Sequence, residues 1–264
     1  MLNRERQSMI IDLLNQNKCV QIMDLAEKFN VSVATIRRDL KELEEQQLIN
    51  RIYGGAVLTE SPTLQPFFPR TNHHREEKSS LGAMAASMIR EGETIVLDIG
   101  TTVLEIAKNI KDKKNLMVFS NSLPVLNELE SCRDIQVLSM GGKLQPSMHA
   151  LTGSIAEQTL NNFYVDKAFI GVAGISIEYG LTNFDQGSAE LCAAIIRRAR
   201  QTILVADSSK FGKTNFAVVG SLDSIHTVIT DDGIPEQYRK YFEKSGVELI
   251  VVPRIKKSSE SNEA

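Results

Sequence analysis

Apolar residues recur at helical spacing near the start of the chain and in short β-branched runs later, so the change of period divides the molecule in two. Ile22, Leu25, Ala26 and Phe29 make a compact apolar stripe, and Asn30-Val31 is short enough for a turn. Ile36, Leu40 and Leu43 then fall at i, i+4 and i+7 of a second helix that Ser32 can cap. Leu48–Arg51 and Ala56–Leu58 read as two short strands joined through Tyr53-Gly54-Gly55, where glycines tolerate the positive φ of a tight turn. Together these make a winged helix-turn-helix pattern. Beyond Glu76, strand-like runs at Ile95–Asp98, Leu116–Ser120, Ile135–Ser139, Ala168–Val172, Thr202–Ala206, Val228–Thr230 and Glu248–Val252 alternate with helix-like stretches. Examples of the latter are Thr102–Ile110, Ala189–Arg200 and Glu236–Ser245. That alternation predicts a Rossmann-like α/β fold, a parallel sheet covered on both faces.

The expected organisation is a winged helix-turn-helix domain over residues 1–58, a linker over 59–75, an α/β domain over 76–252 and a polar tail over 253–264. Pro62, Pro66 and Pro69 favour extended backbone in the linker, which suits it to transmit movement better than a glycine-serine tether.

The second helix carries chemistry on the side its core stripe leaves free. Ala34, Arg37, Arg38 and Lys41 share that side, and their cations can meet phosphates or guanine edges. Ser32, Val33, Ala34 and Thr35 are small enough for the helix start to sit deep in a major groove. Arg51 and Tyr53 on the hairpin are placed to meet the sugar-phosphate backbone. The expected partner of this domain is double-stranded DNA. Charge alone does not announce it: the chain is −3 overall, and residues 1–56 hold eight basic and eight acidic side chains. One copy should therefore bind modestly, which favours an oligomer, dimer or tetramer.

Ligands of open α/β sheets lie beyond the carboxyl ends of strands. Asp98-Ile99-Gly100-Thr101-Thr102 leaves a strand and enters a helix, offering close backbone approach, two hydroxyls and free helix-start N–H groups suited to phosphate. Asn121, Gly141-Gly142-Lys143, Gly171 and Gly174 also fall at strand ends, and Asp207-Ser208-Ser209-Lys210 follows another. Lys143 and Lys210 can neutralise phosphate, Asn121 and Thr102 can bond hydroxyls, and Asp98 or Asp207 can orient a lysine or accept from a sugar.

The remaining residues narrow the class. Cys19, Cys132 and Cys192 have no CxxC spacing, which suits reduced thiols in a cytosol. The four histidines show no metal-ligand spacing. No signal-like segment and no run of about eighteen apolar residues is found. A cytoplasmic protein with no metal, cofactor or membrane partner is expected.

The stretch VSVATIRRDLKELEEQQLINRIYGGA resembles the N-terminal domain of the DeoR family of bacterial transcription regulators, whose TIRRDL run lies on the recognition helix and whose wing ends in GGA. Many members have histidine where this chain has Tyr53. The DIGTT run at Asp98–Thr102, SNS at Ser120–Ser122, Gly141-Gly142, and DSSKFG at Asp207–Gly212 resemble the family's sensor domain, itself similar to ribose-5-phosphate isomerases. The resemblance implies a regulator of a carbohydrate catabolic operon, a repressor relieved by a phosphorylated sugar or polyol. It also implies no catalytic residues. The isomerases carry a DGADE run where this chain has Gly171-Val172-Ala173-Gly174-Ile175, and an aldose-ketose shift needs a base. Where many members carry Glu and Lys four residues apart, this chain has Ser188 and Cys192. An isomerase-like enzyme and an activator remain the alternatives.

Overall fold

The computed structural model describes residues 3–17, 19–45, 48–52, 54–58, 67–72 and 74–254. The chain divides into two compact units, Met1–His73 and His74–Ala264.

The first unit runs α1 (Asn3–Asn17), β1 (Cys19–Gln21), α2 (Ile22–Phe29), α3 (Val33–Glu45), β2 (Ile49–Ile52), β3 (Gly55–Leu58) and α4 (Phe67–Asn72). Asn30 ends α2 in the left-handed conformation, with φ 50° and ψ 51°. Asparagine tolerates this better than most residues, and it turns the chain sharply into α3. Ser32 caps α3 as its sequence position predicts: its Oγ accepts the Thr35 N–H at 3.1 Å. Ile10, Leu14, Leu25, Ile36, Leu40 and Leu43 close the core beneath.

Two features here lie outside the sequence reading. The wing is a three-stranded antiparallel sheet ordered β1-β3-β2, not a lone hairpin. The third strand explains Gly55, because a Cβ there would stand 2.1 Å from the Val20 carbonyl oxygen. In addition, residues 67–72 of the expected extended linker form α4, whose Phe67 is buried and which packs near α1. Residues 59–66, with Pro62 and Pro66, lie outside the described residues.

The second unit contains α5 (Arg75–Ser87), β4 (Thr94–Leu97), α6 (Thr101–Asn109), β5 (Leu116–Ser120), α7 (Leu123–Leu129), β6 (Ile135–Ser139), β7 (Lys143–Gln145), β8 (Ala150–Thr152), α8 (Ser154–Asn161) and β9 (Val165–Ile170). It continues through β10 (Gly174–Ser176), β11 (Gly180–Asn183), α9 (Gln186–Arg198), β12 (Ala199–Val205), β13 (Ala217–Gly220), β14 (Thr227–Asp231), α10 (Glu236–Ser245) and β15 (Glu248–Val252). Seven strands form one parallel sheet ordered β15-β14-β12-β9-β4-β5-β6. The parallel sheet agrees with the sequence expectation. α5 packs on α6, while Leu160 of α8, Ile195 of α9 and Phe242 of α10 share a core with Val96, Ala168 and Leu204 of the sheet. Arg200, expected at a helix end, belongs instead to β12. The β7-β8 hairpin and the small antiparallel sheet β10-β11-β13 are additions.

One buried ion pair ties the first unit together. Arg6 of α1 donates to Asp39 of α3 through Nε at 2.5 Å and Nη2 at 3.0 Å, with both side chains almost wholly buried. The bidentate bond to Asp39 raises the already high Arg6 pKa against the opposing effect of burial. Removing one partner strands the other charge. Asp39→Ala is expected to cost about 3–5 kcal/mol in urea unfolding of this unit, whereas Arg6→Met with Asp39→Leu should lie near wild type. A single-substitution loss below about 1 kcal/mol would show that the pair is not structural.

Candidate nucleic-acid interface and ligand site

On α3 the inward positions are Ile36, Asp39, Leu40 and Leu43, and the outward ones include Ala34, Arg37, Arg38 and Lys41, all exposed. Val33 and Thr35 are half-buried, and the Thr35 hydroxyl meets that of Ser32 at 2.9 Å. This arrangement answers the charge balance of the domain. Asp39 is turned inward onto Arg6, and Glu42 accepts from Gln7 at 2.5 Å and from Asn3 at 3.2 Å. Arg37 and Arg38 have no protein partner among the described residues. Lys41 has only an exposed contact of 3.7 Å with Glu45, which solvent screening makes weak. Arg51 is differently placed from the expectation of a free wing cation: its Nε donates to Glu44 Oε2 at 2.6 Å, and this bond holds the Glu44 carboxyl below its usual range. Tyr53 lies outside the described residues.

In the second unit the strands β4, β5 and β6 wind one way from the centre and β9, β12, β14 and β15 the other, so the order reverses between β4 and β9. A crevice opens beyond the carboxyl ends of the strands at such a switch. The two facing loops come close there: Asp98 N–H donates to the Phe169 carbonyl at 3.1 Å, and a Cβ on Gly171 would lie 3.1 Å from the Ile99 carbonyl oxygen. Gly100 takes φ +139° as the N-cap of α6 and supplies no side-chain cap. Among the described residues no side chain caps the α6 start, and Thr101 and Thr102 are buried in its first turn.

Asp98 and Asn121 come together. Both are buried, and the Asn121 side chain favours the charged form of the Asp98 carboxyl. Burial pushes the Asp98 pKa up to about 7, opposed by the Ile99 N–H, Asn121 and the Cys192 thiol. The Cys192 thiol is itself raised by burial and by the neighbouring carboxylate, so it stays protonated. The hairpin covers this end of the sheet: Leu151 N–H donates to the Asn121 carbonyl at 2.8 Å, and Gln145 accepts from the Ser188 hydroxyl at 3.3 Å. Cys192, Ser188 and Gln145 were not among the expected site residues. Only the position of the first two, where relatives differ, drew attention to them.

The other expected residues divide. Gly142, at φ +111°, lies where a Cβ would stand 2.6 Å from the Thr152 carbonyl, so with Gly141 at φ +68° it shapes the hairpin base. Lys143 is exposed at the start of β7. Gly174 serves packing in the small sheet, since a Cβ there would meet the Lys213 carbonyl at 2.5 Å. Asp207 accepts the Ser209 N–H at 3.1 Å; burial works to raise its pKa, but Lys210, Ser209, Lys78 and His74 together bring it below the usual range. Asp207 and Lys210 thus form their own turn beyond β12.

Descriptions of two known domains cover these units in turn: a DeoR-like helix-turn-helix domain matches residues 6–62, and a DeoR C terminal sensor domain matches residues 73–232. The chain belongs to the DeoR family. It is similar to the transcriptional repressor AccR of Agrobacterium fabrum, 37% identical over 90% of this chain and 96% of that protein. It is also similar to the glycerol-3-phosphate regulon repressor of Escherichia coli, 35% identical over 88% and 92% of the two chains. A solved D-ribose-5-phosphate isomerase in complex with phospho-erythronic acid is 17% identical, with a TM-score of 0.39, covering 52% of this chain and 54% of that one. That likeness is too distant to bear on function. As a DeoR-family member the chain is a DNA-binding transcription regulator, and among its described residues no helix is long and apolar enough to cross a membrane.

The Asp98 environment generates a pH signature. An unfolded carboxyl titrates near ~3.9 and the folded one near 7, so the folded state holds more protons in between. Stability of the second unit should therefore fall as pH rises through that window and level off above it. Asp98→Asn is expected to flatten this slope and to raise the melting temperature at about pH 8. An unchanged slope would show that Asp98 does not titrate there.

Proposed function

We propose that this protein represses a sugar or polyol catabolic operon and is relieved by a phosphorylated sugar or polyol bound beyond the carboxyl ends of β4, β5 and β9. The observation that carries the DNA half of this reading is the free pair Arg37 and Arg38 beside the exposed Ala34 on α3, with the neighbouring acid Asp39 buried on Arg6. Ala34 and the half-buried Val33 and Thr35 give the helix the low profile that entry into a major groove requires, while Arg37, Arg38 and Lys41 meet base edges or phosphates. Arg51 reaches the backbone by exchanging Glu44 for a phosphate. Two or more copies act together, because one unit offers few cations.

The sensing half is supported by the uncapped α6 start beside Gly100, where amides suit a phosphate, and by the unpaired polar atoms of Asp98 and Asn121 close by. Relatives named as repressors of an aga operon and of a glycerol-3-phosphate regulon favour repression and a carbohydrate context. The protein acts in the cytoplasm and is not an enzyme. Val172 and Ala173 in the loop after β9 and Ile175 of β10 are apolar and buried, leaving no carboxylate where the isomerase resemblance requires one.

Arg37→Ala with Arg38→Ala should leave the fold intact and weaken binding to DNA from the gene's own upstream region by at least about a hundredfold at fixed salt, two phosphate or base contacts being lost. Specific binding that survives the double substitution sinks the groove assignment. In the same assay, phosphorylated sugars and polyols should release wild-type protein from DNA. A panel without effect sinks the sensing role, and tighter binding with ligand reverses its sign.

A further inference from the structure

The buried acid at the switch point has an unusual set of neighbours. Asp98 is 1% exposed, and the groups that stabilise its charge are the Ile99 N–H, the Asn121 side chain and the Cys192 thiol, all neutral. No lysine is among the groups that act on this carboxyl. Lys78 and Lys210 act on Asp207, and Lys167 donates to Glu93 at 2.6 Å and to the Met88 carbonyl at 2.6 Å. Two buried oxygens in the group, Asp98 Oδ2 and Asn121 Oδ1, have no hydrogen-bond partner among the described residues. The two side chains interact, so both acceptors belong to one site.

We propose that the ligand of this domain is a phosphorylated amino sugar, its ammonium seated against Asp98 and Asn121 and its phosphate at the start of α6. The inference rests on reading the second unit as a sugar-phosphate receptor and names the chemistry of the other end of the ligand. A hydroxyl brings one donor and no charge, so it satisfies one of two adjacent acceptors and leaves a buried carboxylate uncompensated. An ammonium brings three donors and the missing positive charge. The thiol of Cys192 cannot supply that charge, since it is neutral in both its donor and its free states. Gly100 lies two residues beyond Asp98, so the phosphate and ammonium ends fall to a single loop, which fits a ligand of monosaccharide size.

The test is calorimetric titration of the full chain at about pH 7.5, where the carboxylate is charged. Matched pairs serve as probes: glucosamine 6-phosphate against glucose 6-phosphate, and galactosamine 6-phosphate against galactose 6-phosphate. In at least one pair the amino member is expected to bind at least about tenfold tighter. Asp98→Asn keeps the shape and removes the charge, and should bring that pair to within about twofold. Cys192→Lys places a protein cation beside Asp98 and should erase the preference by a separate route. Hydroxy members that bind wild type as tightly as their amino partners overturn the ammonium assignment and leave the sugar-phosphate reading standing. Failure of every probe to bind overturns both.

Discussion

A sheet whose strands all run parallel brings every carboxyl end to one edge, and reversal of winding between β4 and β9 sets two loops face to face at one point along it. Everything chemical in the second unit follows from that constraint. It sets Asp98 beside Asn121 from the neighbouring strand, faces Gly171 onto Ile99, and starts α6 directly after Gly100. The hairpin β7-β8 and the first turns of α9 then wall the same end, through Gln145, Ser188 and Cys192. A polar group sealed in this way is sensitive to charge, because low dielectric surroundings magnify any imbalance.

The first unit solves a different problem. A domain with as many acids as bases must still present a positive face, and it does so by geometry. Asp39 is turned inward, Glu42 is held by Gln7 and Asn3, and Arg37 and Arg38 remain exposed. The Arg6–Asp39 pair thus has a double role, since it joins α1 to α3 and also removes a negative charge from the surface of α3.

Much of this was legible in the sequence, for reasons specific to each element. β5, β6 and β15 occupy the residues that their β-branched runs mark out, and α3 follows its i, i+4, i+7 stripe from a serine cap. Such elements carry their signal locally. β1, β7, β8, β10 and β11 are three or four residues long and exist because a partner strand is present, so no window of sequence announces them. The helix at 67–72 was hidden by Pro69, which is compatible with a first helical turn as well as with a linker. At the candidate site, strand-end logic found Asp98 and Asn121 but not their relation to Cys192, which arises when α9 crosses the sheet. Gly142 and Gly174 fell at strand ends for steric reasons of their own.

The register between β4 and β9 also orders events in time. Ile95 pairs with Lys167 and Leu97 with Phe169, so the centre of the sheet closes only after a long intervening segment has been made. The helix-turn-helix lies in a compact unit that ends at His73. During synthesis at about 5–20 residues per second, the N-terminal unit can fold several seconds before β9 has emerged. A newborn copy therefore acquires its DNA-binding unit before the sheet of its sensor domain can close.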